Sequence, residues 1–190
     1  MDLSAINWTQ VALVCGLLCC GGFILSVVLT FVGGAFEVVF GLLSAIGDVL
    51  SGARVLDLFA GTGALGLEAL SRGAAQCVFV EESAEGRGLI RANIEEFGLQ
   101  GRARIFRRDA TRLGEAGTIA PFGLVFADPP YGKGLAERAL RSALAGGWLA
   151  ADALVVVEEA AASPFQPVEG LELIERREWG DTGVTFAART

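Results

Sequence analysis

A chain of 190 residues suits one domain with enough length to bury a core. Its net charge of −7 argues against a protein that coats nucleic acid, although local basic patches can still bind it, and the absence of histidine excludes imidazole catalysis and histidine-ligated metals. Hydrophobic residues make up 53% and the mean hydropathy is +0.53, an excess concentrated at the front, where no charged residue occurs from Leu3 to Phe36.

Within that front, Trp8 to Val32 is long enough, at about 1.5 Å per residue, to cross a hydrocarbon core of about 30 Å as a helix. Residues 1–35 are therefore read as an apolar segment and candidate transmembrane helix. The competing readings are an uncharged segment buried against the domain and an unrelated sequence joined to it. No basic n-region precedes the run, so cleavage as a signal peptide is not expected, and all the arginines follow it, which favours a cytoplasmic C-terminal side. Cys15, Cys19, Cys20 and Cys77 form no C-x-x-C pair and read as small buried apolar side chains, with no metal pattern.

The chain from residue 36 to 190 reads as one globular unit. Phe36, Val39, Phe40, Leu43, Ile46 and Leu50 share a face at helical spacing, opposite Glu37, Gly41, Ser44 and Asp48, so residues 36–50 are expected to form an amphipathic helix covering one face of a sheet. Residues 51–190 then alternate between strand and helix patterns. Strands are expected at Arg54–Phe59, Gln76–Val80, Arg102–Phe106, Phe122–Ala127 and Ala153–Val157, with a closing pair at Glu172–Glu178 and Val184–Ala187 around the turn Gly180–Gly183. Helices are expected at Ala64–Ser71, Glu85–Phe97 and Leu135–Leu144. Such alternation implies a right-handed, mostly parallel, three-layer α/β sheet.

The first strand runs through Asp57 and Phe59 straight into Gly61-Thr-Gly63-Ala-Leu-Gly66 and a helix. That G-x-G-x-x-G is by itself a weak signal shared by several nucleotide folds. Asp57, just before the turn, would repel a pyrophosphate but can accept from a cationic amino group. S-adenosylmethionine, which carries an ammonium and a sulfonium and no phosphate, fits that better. Gly61 and Gly63 allow tight backbone and close ligand approach, and Gly66 allows the helix to pack closely on the strand.

Glu81, twenty residues after Gly61, stands where a carboxylate hydrogen-bonds a ribose hydroxyl pair, with Glu82 as the neighbouring candidate. Asp109 can accept from an adenine amine while the Ala110 N–H donates to the ring; a helix N-cap is the competing reading for Asp109. The fourth strand ends in Asp128-Pro129-Pro130-Tyr131. The two prolines remove two N–H donors and leave carbonyl acceptors unsatisfied. A purine amine accepted by the Asp128 side chain and by a carbonyl near Pro129 would be held and polarised toward a methyl donor, with Tyr131 stacked on the base. A plain turn is the bland alternative. Arg102, Arg104, Arg107, Arg108 and Arg112 read equally as a phosphate-binding stripe or a solvated strand edge, and Lys133 can meet a phosphate flanking the target base.

The stretches RVLDLFAGTGALGLEALSRGA, LIRANIEEFGL, RRDA, LVFADPPYGKGLAERAL, GGWLAADALVVVEE and WGDTGVTF together resemble the RsmD-type family of 16S ribosomal RNA guanine-N2 methyltransferases, within the Rossmann-like S-adenosylmethionine-dependent methyltransferases, from about Ser51 to Phe186. The resemblance implies a seven-stranded class I methyltransferase sheet with an antiparallel last strand. It implies S-adenosyl-L-methionine bound around Asp57, Phe59, Gly61, Gly63, Glu81, Asp109 and Ala110, and a target amine held at Asp128, Pro129, Pro130 and Tyr131. It also implies ribosomal RNA or the small ribosomal subunit as partner; a monomer, no metal, and a cytoplasmic catalytic domain, with a membrane anchor through residues 8–32, are expected. The family's basic N-terminal arm is absent. Two other readings stand beside this one: adenine-N6 methylation of DNA or RNA, and an inactive membrane-attached module that binds cofactor.

Overall fold

The computed structural model describes residues 47–190. The expected membrane span at residues 8–32 and the amphipathic helix up to residue 46 lie outside the described residues. No helix among the described residues is long and apolar enough to cross a membrane.

The elements follow in the order α1 (Gly47–Leu50), β1 (Arg54–Leu58), α2 (Ala64–Ser71), β2 (Gln76–Val80), α3 (Ala84–Glu96), β3 (Ala103–Phe106), a 3-10 turn (Ala110–Arg112), β4 (Phe122–Ala127), α4 (Leu135–Ala145), β5 (Leu149–Ala160), β6 (Leu171–Trp179) and β7 (Thr182–Arg189). The strands form one seven-stranded sheet in the order β3-β2-β1-β4-β5-β7-β6. β1 to β5 are mutually parallel, β7 is antiparallel to β5, and β6 is antiparallel to β7. Only β7 therefore runs against the rest, the arrangement that the resemblance implies. The order reverses direction between β1 and β4, and an open parallel sheet offers its ligand crevice at such a reversal, beyond the carboxyl ends of the strands.

Alternation along the strands divides the core into two layers. Val55, Cys77, Phe79, Leu124, Phe126 and Val156 face α2 and α3 together with Leu67, Leu70, Ile90 and Ile94. Leu56, Leu58, Val78, Val80, Val125 and Val155 face α4 together with Leu113, Leu140 and Trp148. Leu50, the last residue of α1, is 1% exposed in the first layer, whereas its neighbour Val49 is 45% exposed.

Several boundaries differ from the sequence expectation, and three of them have a local reason. β1 stops at Leu58, because Phe59 takes a left-handed backbone with φ of 62°. β5 begins at Leu149 rather than Ala153. Leu149 pairs with Phe122 and Leu154 with Leu124, so a bulge spans residues 150–153 and hides the strand's start. The hairpin between β6 and β7 is tighter than the expected four-residue turn, with Gly180 (φ 58°) and Asp181 alone between the paired Trp179 and Thr182.

Gly66 sits inside α2, where helical backbone suits any residue; space is what demands glycine. A Cβ there would lie 2.4 Å from Phe79, 2.6 Å from the Cys77 sulfur and 2.9 Å from the Asp57 carboxylate. Gly66→Ala is expected to destabilise the domain by about 1–3 kcal/mol, the usual range for overpacking. Urea unfolding monitored by circular dichroism measures this, and a loss below about 0.5 kcal/mol would contradict the packing described.

Candidate active site

A cleft of about 890 Å³ opens at the carboxyl edge of the sheet, lined by residues that follow β1 (Phe59, Gly61), β2 (Glu81, Glu82, Ser83), β3 (Arg108 to Thr111) and β4 (Asp128 to Pro130), and by Leu135 and Arg138 of α4. The volume falls in the range of small-molecule sites. One short loop shapes its floor. Phe59 in the left-handed region is strained by on the order of 1–3 kcal/mol, a departure usually found at functional sites. It turns the chain so that the Ala60 N–H reaches the Val80 carbonyl (3.1 Å) and the Gly63 N–H reaches the Ala60 carbonyl (2.6 Å). Gly61 follows at φ 54°, with its N–H 2.8 Å from Glu81 Oε2.

Glu81 thus ties two loops together, since its Oε1 accepts from the Ser83 N–H at 2.7 Å. Each oxygen keeps a further lone pair for a ligand hydroxyl. Gly86, in the first turn of α3, closes the same corner: a Cβ on it would lie 2.7 Å from the Gly61 carbonyl oxygen and 2.9 Å from the Glu81 side chain. Glu82 lies exposed at the rim.

Asp57 and Gly63 do not line the cleft. Asp57 is 1% exposed and lies behind the loop, where its Oδ2 accepts from the Gly66 N–H at 3.0 Å. Alternation puts it on the α2 face of β1, so it anchors the helix start from beneath. Burial above all, with Glu81 nearby, raises its carboxyl to about 7 despite the Gly66 bond. Gly63, the residue before α2 (φ 83°), points inward: a Cβ would lie 3.0 Å from Ile90.

Asp109 caps the 3-10 turn, its Oδ1 accepting from the Thr111 N–H (2.8 Å) and hydroxyl (2.7 Å), and these bonds hold its pKa below the ordinary value. The N-cap reading therefore holds, and both bonds fall on one oxygen. Ala110 lines the cleft beside it.

Asp128 follows the last residue of β4, with its N–H 3.4 Å from the Leu58 carbonyl. Burial, then the negative charges of Glu158, Asp57 and Glu159, push its carboxyl up to about 8. The turn that follows is fastened to the end of β5: the Tyr131 hydroxyl donates to Glu158 Oε1 at 2.7 Å, and the Gly132 N–H to Glu159 Oε2 at 3.2 Å. Tyr131 remains 41% exposed beside the cleft mouth, so its ring is accessible. Sequence reasoning gave Glu158 and Glu159 no role, since two acidic residues ending an apolar strand look like a solvated strand end. Arg138 was also missed; it lines the cleft from α4 and its guanidinium lies 3.4 Å from the Thr111 hydroxyl.

The arginine stripe divides. Arg102 donates to the Leu70 carbonyl (2.9 Å) and to that of Ala74, so it ties α2 to the strand edge. Arg108 donates to the Leu113 carbonyl and lies 5.8 Å and 5.7 Å over the Phe106 and Trp148 rings. Arg104, Arg107, Arg112 and Lys133 lie exposed. No group of three or more acidic residues or cysteines among the described residues is placed to hold a metal ion.

A Rossmann-like sheet of this order, with four carboxylates lining a cleft at the strand ends, defines a class I methyltransferase architecture. The chain belongs to the family described as conserved hypothetical protein 95, which matches residues 36–188. It is 42% identical over 115 residues to ribosomal RNA small subunit methyltransferase D of Escherichia coli K12, covering 60% of this chain and 56% of that protein. It is 41% identical over 88 residues to YlbH of Bacillus subtilis 168, named provisionally as an rRNA methyltransferase, covering 45% and 48%. These matches span about half the length of the curated relatives. The solved structure of Escherichia coli yhhF, provisionally a methyltransferase, superposes with a TM-score of 0.71 at 31% identity, over 80% of this chain and 84% of that one. The likeness to the RsmD-type family drawn from the motifs is borne out by these matches.

The raised carboxyls bind protons in the folded state that the unfolded chain releases above about pH 4. Stability is therefore expected to fall as pH rises from about 4 through about 8, and to level off above. Asp128→Asn should make that fall smaller, because the carboxyl near 8 no longer contributes. Urea midpoints at pH 5, 6.5 and 8 measure this, and stability that rises over the range would contradict it.

Proposed function

We propose that this chain binds S-adenosylmethionine and transfers its methyl group to the exocyclic N2 amine of a guanine in 16S ribosomal RNA. The observation that carries this reading is Asp128. Its carboxyl opens into the same cleft as Glu81 and Asp109, accepts from no described group, and is followed by two prolines without N–H donors.

The donor set fits the cofactor. Glu81, Glu82, Asp109 and Asp128 face the cleft against Arg108 and Arg138, and Arg108 is already engaged by the Leu113 carbonyl and two aromatic rings. Such a lining favours a cationic ligand over a pyrophosphate. Glu81 would accept from the ribose hydroxyls, and the second oxygen of Asp109 from the adenine amine, with Ala110 N–H donating to the ring. Gly61 leaves open space on the ligand side, since a Cβ there would meet nothing nearer than 3.9 Å. Asp57 and Gly63 contribute from behind by fixing the loop. Bound there, the cofactor supplies an electrophilic methyl group.

The protein's own part in the reaction is orientation. An oxygen of the Asp128 carboxyl accepts a hydrogen bond from one N–H of the target amine, and the backbone carbonyl at Pro129 accepts from the other. Both bonds steer the nitrogen lone pair out of conjugation with the base. The Tyr131 ring stacks on the extruded base. The exposed Arg107 and Lys133 are assigned to phosphates flanking the target base, whereas Arg108 is held by the Leu113 carbonyl and the two rings. The names of the relatives support ribosomal RNA as the substrate class.

The division of the chain at residue 36 is part of the same proposal, and the family match that begins there supports it. The apolar run at residues 8–32 is assigned to the membrane, anchoring a cytoplasmic catalytic domain. Alkaline extraction of a membrane fraction should leave the full chain in the pellet, and its recovery in the soluble phase would refute the anchor.

Asp128→Ala should abolish methyl transfer while leaving the cofactor Kd within a few-fold. Glu81→Ala should weaken cofactor binding roughly tenfold or more, as expected when a charged hydrogen-bond partner is removed. Calorimetry with S-adenosylmethionine and transfer of labelled methyl to ribosomal subunits separate the two. Loss of cofactor binding in Asp128→Ala would overturn its assignment as the target acceptor.

A further inference from the structure

We propose that Glu158 is a positioning residue that fixes the Tyr131 ring at the cleft mouth, working with Glu159 to clamp the Pro129–Gly132 turn onto the end of β5. The proposal rests on the stacking role given to Tyr131 above and assigns a device that holds it.

Glu158 and Glu159 are successive residues of a regular strand, paired with Val184 and Gly183 of β7. Their side chains leave opposite faces of the sheet. One accepts the Tyr131 hydroxyl at 2.7 Å and the other the Gly132 N–H at 3.2 Å, so the turn straddles the strand end and is held from both sides. Such a clamp is needed because the turn has little of its own. Pro129 and Pro130 bring no N–H, and Gly132 (φ 72°) and Gly134 (φ 58°) lie in the left-handed region on either side of Lys133. A partly exposed ring on such a loop would otherwise sample several rotamers. Burial and the Glu158 carboxylate together raise the Tyr131 hydroxyl above its ordinary value, as expected for a phenol that donates to an anion.

Tyr131 is the one tyrosine of the chain, so its phenol can be followed directly. In the full chain without cofactor or RNA, alkaline difference absorbance, with circular dichroism recorded in parallel, should show Tyr131 ionising above the ordinary value of about 10. In Glu158→Ala the transition should move down toward that value, and Glu158→Gln, which keeps an acceptor, should fall between. Wild-type methyl transfer to ribosomal subunits supplies the second arm. Tyr131→Phe and Glu158→Ala should each lower kcat/KM about tenfold, the double variant should lose no more than either, and Glu158→Gln should recover most of it. An unchanged phenol transition in a folded Glu158→Ala, or additive losses in the double variant, would overturn the clamp. An inactive wild type with a shifted phenol would overturn the methyltransferase reading while leaving the contact in place.

Discussion

The Gly66 N–H reaches the buried Asp57 carboxylate at 3.0 Å, and the carboxyl edge of the sheet is arranged around that bond. The approach is possible because Gly66 has no Cβ, which lets α2 settle onto β1 and β2 within van der Waals reach of Phe79 and Cys77. With the helix start pinned there, only residues 59–63 remain to join strand to helix. They do so by turning left-handed at Phe59, Gly61 and Gly63. Compression of this kind leaves the Gly61 N–H pointing out of the loop, where Glu81 takes it. The cleft floor is thus set by a bond on its far side, and a buried Asp, a glycine inside a helix and a strained Phe are parts of one arrangement.

Charge is distributed around the cleft in two regimes. Asp109 is satisfied by Thr111 and held low, whereas Asp57 and Asp128 are buried, mutually repelling and raised. Acidic groups close together in a dry site are costly in the free protein, and they are the groups that a cationic ligand and a doubly donating amine would relieve. Glu158, also raised by burial, is stabilised by the Tyr131 hydroxyl. Of the carboxylates that burial raises, Asp128 is the one assigned to the target amine, whereas Asp57 anchors the start of α2 and Glu158 holds Tyr131.

Most of the architecture could be read from the apolar runs. β1, β2 and β4 are short, nearly uninterrupted and buried on both faces, so their ends fall within a residue of expectation. The start of β5 could not be read, because Ala150, Ala151 and Asp152 break the pattern at a bulge that only the β4 pairing reveals. Phe59 looks like strand by composition, and its left-handed backbone is imposed by tertiary contacts. Within the site, Glu81, Asp109 and Asp128 were legible because acidic residues at the ends of successive parallel strands converge on one edge. The burial of Asp57 against the start of α2 was not legible, since its Gly66 partner is fixed by how closely the helix packs on the strand. Glu158 and Glu159 were invisible for another reason: their partners, Tyr131 and Gly132, lie 27 residues away, and only the closed sheet brings them together.

The central claim is that the Asp128 turn presents a purine amine to a methyl donor held between Glu81 and Asp109. Its most direct test is to incubate the full chain with isotopically labelled S-adenosylmethionine and small ribosomal subunits, digest the RNA to nucleosides, and identify the labelled one by mass spectrometry. The account predicts label in N2-methylguanosine. Label in N6-methyladenosine, or none in RNA while the cofactor is demonstrably bound, would contradict it.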